Sequence, residues 1–416
     1  MNMSVVSRTA VAVGVGSAAL LYLVYSRWLN DIRVPKSFPQ ADELREVLKN
    51  LKKIGLISSV GERLGFGHRI VLIRRLFSYY FDDGEPLPVD PDLQVTYTDF
   101  DGIPVKLYVP RDDTRGHRLL PGMVYYHGGG CCMGSADEMD GVTRRFAKSV
   151  HMVVASVDYR LAPEHVFPAA LDDCVAATKY FVKNAATLGV DDRRVVIAGD
   201  SSGGYLTAAV SLRLRDEKLS PQPKLQVLLY PAVQAIDLQT PSYEENAVDP
   251  CLDRRLMVTF WLWYAFGDIA RFRLDDFERN LHSTAAARAG FSKYIDRSLL
   301  PADFRPANDS PKKDKETTKD NTDSALWTDI EATFTNPYFA PLLAPTLTSL
   351  PPAYIVTCQQ DVLRDEALMY VQRLRNDGVK VTHAHYDCLH ALFDLLHLKI
   401  ASDALDAVCK HVRDNL

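Results

Sequence analysis

Apolar positions change period several times along this chain. Residues 9–26, TAVAVGVGSAALLYLVYS, carry no charge over 18 positions, a length at the lower limit for crossing a hydrocarbon core. From Asp42 to Gly65 the apolar residues Leu44, Val47, Leu48, Leu51, Ile54 and Leu56 recur at helical spacing, and a second apolar-basic stretch runs from Ile70 to Phe81. Both read as helices between the uncharged run and the main body, serving either as a packing layer or as a lid near a membrane surface. Strand-like runs follow. LQVTYTDF (93–100) and IPVKLYV (103–109) flank an Asp101-Gly102 turn, a hairpin signal.

Further strands are expected at 123–130, 152–160, 194–200, 225–231, 354–361 and 381–386, and helices at 170–185 and 205–217, between the last two strands, and over the final stretch from Leu392. Apolar strands alternating with helices predict a mainly parallel sheet covered on both faces. Over 100 residues separate the strands at 225–231 and 354–361, too many for a loop in a compact domain. They predict an inserted helical cap over about 235–345. It contains the aromatic run LMVTFWLWYAFGD (256–268), which supplies either a lining for an apolar substrate or ordinary cap core, and a polar, charge-mixed stretch at 308–324.

The expected organisation is a short amino-terminal segment (1–8), a membrane span (9–26), cap helices (40–85) and a catalytic domain (90–416). Arg8 and Arg27-Trp28 flank the span as interfacial anchors would, and its bulky end, Leu20 to Tyr25, lacks a signal-peptidase site, which favours an uncleaved anchor. Positive charges before and after it are similar in number, so charge bias alone leaves its orientation open. A net charge of −5 and a pI near 6.1 argue against a nucleic-acid partner. Seven scattered cysteines form neither a disulfide framework nor a zinc site, and no cofactor or metal is implied.

The chemistry centres on GDSSGG at 199–204, placed between a predicted strand and a predicted helix. The pattern G-x-S-x-G in that setting is a nucleophile elbow, a turn so tight that its neighbours two residues away must be small. Centring it on Ser202 would put Asp200 at a glycine position, so Ser201 is the candidate nucleophile and Ser202 donates a backbone N–H to an oxyanion hole. His127-Gly128-Gly129-Gly130 ends an earlier strand, and its glycines let N–H groups approach an oxyanion. A serine nucleophile needs a base, and the base needs an orienting carboxylate. Asp361, at the end of a late strand, is the candidate acid. Asp365 and Glu366 are expected to face solvent or cap the following helix. His390, in the loop after the last strand, is the candidate base. His383 and His385 are expected to alternate across that strand, and His397 lies in the next helix.

Together HGGG, DYRLAPEHVFPAALDD (158–173), GDSSGG and DVLRDE (361–366) resemble the hormone-sensitive-lipase-like branch of the α/β-hydrolases, and with the amino-terminal run they are similar to the arylacetamide deacetylase and deacetylase-like family. The similarity covers the chain from about residue 40 onward. It implies an α/β-hydrolase fold, with a mostly parallel central sheet, helices on both faces, a helical cap and an N-terminal transmembrane helix. It implies a serine hydrolase of esters or arylacetamides, anchored in the endoplasmic reticulum membrane as a type II protein with its catalytic body in the lumen. Its triad carries over to Ser201, Asp361 and His390, and its oxyanion motif to His127, Gly128 and Gly129, beside the N–H of Ser202. It further implies a disulfide between Cys132 and Cys358. Asn308-Asp309-Ser310 is a glycosylation sequon, usable only in a lumenal body. Asp158, Arg160 and Glu164 are expected to form an ion-pair network under the oxyanion loop. Departures from the family pattern stand at Ser202, where alanine is frequent, at Tyr205 in place of asparagine, and at Cys131, where tryptophan is frequent. The expected partners are the membrane and a small apolar ester or amide. A rival reading is a ligand-binding relative of the same fold without catalysis.

Overall fold

A computed structural model describes residues 21–32, 34, 40–81, 89–111, 118–249, 251–305 and 324–416. The chain divides into two compact units, Met1–Pro86 and Leu87–Leu416.

In the first unit residues 21–30 are helical, followed by α1 (Ala41–Arg63) and α2 (Arg69–Phe81). The helices α1 and α2 form a hairpin, and Gly61 lets them close: a methyl group there would press on a Leu72 methyl. Leu44, Leu48, Ile54 and Ser58 form the buried face of α1. Lys52 of α1 donates to the carbonyls of Trp28 (2.9 Å) and Asp31 (2.7 Å), closing off the carboxyl end of the first helix. Positions 9–20 of the expected span lie outside the described residues; 21–26 begin the 21–30 helix. No helix among the described residues is long and apolar enough to cross a membrane.

In the second unit one eight-stranded sheet has the order β1-β2-β4-β3-β5-β6-β7-β8. Its strands are β1 (Leu93–Phe100), β2 (Ile103–Pro110), β3 (Leu120–Tyr126), β4 (Val153–Val157), β5 (Val190–Asp200), β6 (Leu225–Leu229), β7 (Ala353–Gln360) and β8 (Val381–Leu389). From β4 to β8 all neighbours are parallel; β1 and β2 pair antiparallel, and β2 meets β4 antiparallel. At the β1–β2 turn Asp101 and Gly102 both have positive φ (55° and 91°), as the two-residue hairpin signal requires. Every residue of β4 and β6 is buried, which demands cover on both faces of the sheet.

That cover comes from α3 (Asp140–Val150), α4 (Ala169–Lys183), α5 (Ser202–Asp216), α7 (Arg364–Asn376) and α8 (Lys399–Asp414), with α6 (Arg254–Phe266) in the long insertion after β6. The apolar pattern does not signal α3, whose apolar positions are interrupted by Arg144, Arg145 and Lys148. It begins α5 three residues late, because Ser202, Gly203 and Gly204 have poor helix propensity and tertiary packing overrides it. The final helix is broken: a 3₁₀ turn (Leu392–Leu395) precedes α8.

In α6, Phe260, Trp261, Trp263 and Tyr264 are buried, and Tyr264 stacks on Phe339 (5.7 Å), so much of the aromatic run is packed core. Asp365 and Glu366 differ from expectation. Both are fully buried rather than solvent-facing. Asp365 accepts the N–H of Ser242 (2.7 Å) and pairs with Arg364 (2.9 Å). Glu366 accepts the N–H groups of Val233 (2.6 Å) and Gln234 (3.3 Å) and the Gln234 side chain (3.1 Å). The loop leaving β6 has no ladder partner, and these carboxylates satisfy its buried donors. Glu366→Ala strips those donors of their acceptor and is expected to cost about 1–3 kcal/mol, seen as a lowered denaturation midpoint; Glu366→Gln, which keeps one carbonyl oxygen, loses less.

Candidate active site

Four strands end at one edge of the sheet and deliver the candidate residues: β3 leads to His127, β5 to Ser201, β7 to Asp361 and β8 to His390. In an open parallel sheet this carboxyl edge is where sites form. Ser201 sits between β5 and α5 with φ 52° and ψ −116°, a strained conformation for a residue with a side chain. Its N–H is pinned to Leu229 O (2.8 Å) at the end of β6. The flanking glycines explain the motif. A methyl group on Gly203 would overlap the carbonyl of Tyr126, and one on Gly199 would collide with the backbone of Gly203.

His390 joins the other two. Its Nε2 lies 2.9 Å from Ser201 Oγ and its Nδ1 2.8 Å from Asp361 Oδ2. The other carboxylate oxygen of Asp361 accepts the N–H of Leu363 (2.8 Å), and Asp361 is buried, so the carboxylate is held at both ends. The Tyr230 ring meets the imidazole edge to face (4.9 Å), and the Cys251 thiol donates to His390 O (3.4 Å). Burial opposes charge on the imidazole, but the Asp361 carboxylate beside it, aided by Asp394 and Asp200, prevails and leaves its pKa above the ordinary 6.5.

Of the N–H groups nominated for an oxyanion, that of Gly128 is already committed to Asp200 Oδ1 (3.0 Å). Among the described residues the N–H groups of Gly129 and Ser202 donate to no protein acceptor. Gly129 has φ 104° and Gly130 φ 64°, and a side chain at Gly128 would overlap the Asp200 carboxylate. His127 is scaffold: its ring stacks on Tyr159 (4.2 Å), its Nδ1 donates to Gly128 O (2.7 Å), and burial lowers its pKa to about 4, keeping it neutral.

Sequence reasoning gave Asp200 no positioning role. It accepts from Tyr125 Oη (2.8 Å) as well as from Gly128, so it ties the elbow to β3 and the glycine loop; burial raises its pKa to about 6. Ser202 Oγ accepts the N–H of Cys131 (3.1 Å), where the chain turns with φ 56°. Two departures from the family pattern therefore meet. The third, Tyr205, bonds Tyr338 O (2.9 Å) and Tyr264 Oη (3.1 Å), joining α5 to the insertion.

Other expectations fall differently. Arg160 pairs with Asp173 (2.7 Å), while Asp158 accepts the N–H of Ala136 (2.6 Å) and so does support the loop. His383 and His385 share one face and both meet Thr357 Oγ1 (2.8 Å each), because side chains two apart on a strand point the same way. Cys132 and Cys358 are both buried, and Cys358 has the thiol of Cys388, on the adjacent strand, as a neighbour. Asn308 lies outside the described residues.

A family model described as the α/β hydrolase fold matches residues 123–288 and 299–393. The arylacetamide deacetylase of Rattus norvegicus is 35% identical over 395 residues, covering 91% of this chain and 92% of that protein. Arylacetamide deacetylase-like 2 of Homo sapiens is 39% identical, covering 77% of this chain and 78% of that protein. Among solved structures, the esterase of Pyrobaculum calidifontis superposes with a TM-score of 0.61 at 27% identity, covering 86% of this chain and 97% of that one.

The contact between Ser202 and Cys131 is directly testable. Ser202→Ala leaves a buried N–H without its acceptor, with an expected loss of about 1 kcal/mol in chemical denaturation.

Proposed function

Because the chain belongs to the arylacetamide deacetylase family of the α/β-hydrolases, and is accordingly a carboxylic ester hydrolase or deacetylase, we propose that it cleaves apolar esters or amides with Ser201 as nucleophile, His390 as base and Asp361 as orienting acid. The observation that carries this is the single imidazole within hydrogen-bond reach of both Ser201 and Asp361, which lie 160 residues apart in sequence.

The chemistry follows from the bonds. His390 Nδ1–H donates to Asp361, so the neutral tautomer leaves Nε2 with a lone pair facing the Ser201 hydroxyl. As Ser201 Oγ attacks the substrate carbonyl carbon, its proton passes to Nε2. Asp361 steadies the imidazolium, and Nε2–H then protonates the departing alcohol or amine. Water, deprotonated by the same nitrogen, releases the acyl group and frees Ser201. The free N–H groups of Gly129 and Ser202 are the donors for the oxyanion, while Gly128 holds the loop through Asp200. A preference for apolar substrates is supported by α6, whose Phe260 ring abuts Gly130 beside that loop.

The reading extends to location. We take residues 9–26 as a single-pass anchor in the endoplasmic reticulum membrane, with the catalytic body in the lumen. Its support is the uncharged run between Arg8 and Arg27 and a usable sequon at Asn308; glycosidase sensitivity that disappears in Asn308→Gln checks the orientation.

Two measurements test the chemistry. A fluorophosphonate probe is expected to label the full chain and to leave Ser201→Ala unlabelled; a folded wild type that resists labelling would favour a binding protein. The imidazole must be neutral to act as base, and its pKa is raised. Activity is therefore expected to fall with decreasing pH through a midpoint above 6.5. Asp361→Asn removes the main charge favouring imidazolium, which shifts that midpoint down and lowers kcat by about 10⁴-fold.

A further inference from the structure

The helical hairpin of the first unit shows solvent an apolar stripe that its own packing does not use. On α1, Leu56, Val60 and then Leu64 just beyond its end follow at i, i+4 and i+8, with Ile57 beside them. They are 40%, 45%, 67% and 46% exposed, and Phe66 in the turn before α2 is 71% exposed. An amphipathic helix buries its apolar side; here Leu44, Leu48 and Ile54 do that, and this is a second apolar side.

Charge and position indicate what covers it. From Lys49 to Phe81 there are seven Lys or Arg against a single acid, Glu62, in a chain whose net charge is −5. Basic side chains bordering an apolar stripe suit an anionic lipid surface. The stripe also has a fixed neighbour. The helix at 21–30 presents Leu21, Tyr22, Leu23 and Val24 exposed and ends in a Tyr25–Trp28 ring pair (6.0 Å), the amphipathic rings favoured at the headgroup level. Lys52 grips that end, bonding the Trp28 and Asp31 carbonyls and lying over the Trp28 ring (5.1 Å). Leu56 follows Lys52 by one turn, about 6 Å along the axis.

We propose that the stripe from Leu56 to Phe66 lies in the interface of an anionic bilayer, a second membrane contact held at headgroup depth by the Lys52 clamp on the end of the 21–30 helix. This rests on reading residues 9–26 as an anchor, and the experiment separates the two. The full chain is reconstituted in phosphatidylcholine–phosphatidylserine vesicles with an environment-sensitive fluorescent amino acid at position 24, 64 or 248, the last replacing Val248 of the second unit, which is 84% exposed. Brominated lipids are the quencher.

Emission from 24 and 64 is expected to drop at least about two-fold while that from 248 does not. Quenching at 64 is expected to weaken when phosphatidylserine is omitted or when Arg63 and Arg75, both exposed, are changed to glutamate. Quenching at 24 alone would overturn the proposal and leave the anchor standing; no quenching at either site would overturn both. An unquenched residue 64 that cross-links to a second copy would assign the stripe to self-association and overturn the proposal as well. Because the probe replaces an exposed side chain at each position, unchanged hydrolysis of a water-soluble ester confirms that every labelled chain is folded.

Discussion

The backbone of the elbow passes so close to the end of β3 that no side chain fits between them. Gly203 lies against the Tyr126 carbonyl, and Gly199 against Gly203 itself. From that approach the rest of the site follows. With β5 and β3 pressed together, Asp200 reaches Tyr125 and the Gly128 N–H, and Ser202 reaches the Cys131 N–H. Elbow and glycine loop become one hydrogen-bonded body, in which Ser201 holds a strained φ because everything around it is already determined. Among the described residues, the arrangement leaves two N–H groups without protein acceptors beside the serine.

Burial sets the electrostatics of that body. His127 is driven neutral and Asp200 has a raised pKa, because charge is costly in an apolar interior. His390 is the exception, since the Asp361 carboxylate outweighs the burial around it. Asp361 in turn keeps its geometry because the turn into α7 offers the Leu363 N–H, and α7 is moored by Asp365 and Glu366 to the loop after β6. A stretch that looks like one short acidic motif thus does two jobs: its first aspartate bonds the His390 imidazole, and its last two carboxylates satisfy buried backbone.

The hairpin of the first unit follows other rules. Its exposed apolar stripe and basic excess would be a liability in water, and the proposed bilayer contact would turn both into binding free energy.

Period and glycine spacing determined a good deal by themselves. The alternation of apolar strands with helices implied the parallel sheet, Asp101-Gly102 the hairpin, and the glycines of GDSSGG singled out Ser201 over Ser202. Strand ends pointed to Asp361 and His390. Those signals are local, because they record conformations that only certain residues tolerate. What lay beyond them was partnership. Asp365 and Glu366 look like solvent-facing helix residues until the loop after β6 is packed against them. Arg160 has two candidate acids close by in sequence, Asp158 and Glu164, and pairs with Asp173 on α4. Gly128 cannot be known as a structural donor until Asp200 is seen to accept from it. Which thiol faces Cys358 depends on the register of β7 and β8. A sequence records which residues can turn, bury or ionise; only the tertiary structure decides which buried donor meets which acceptor, because that choice depends on distances between segments far apart in the chain.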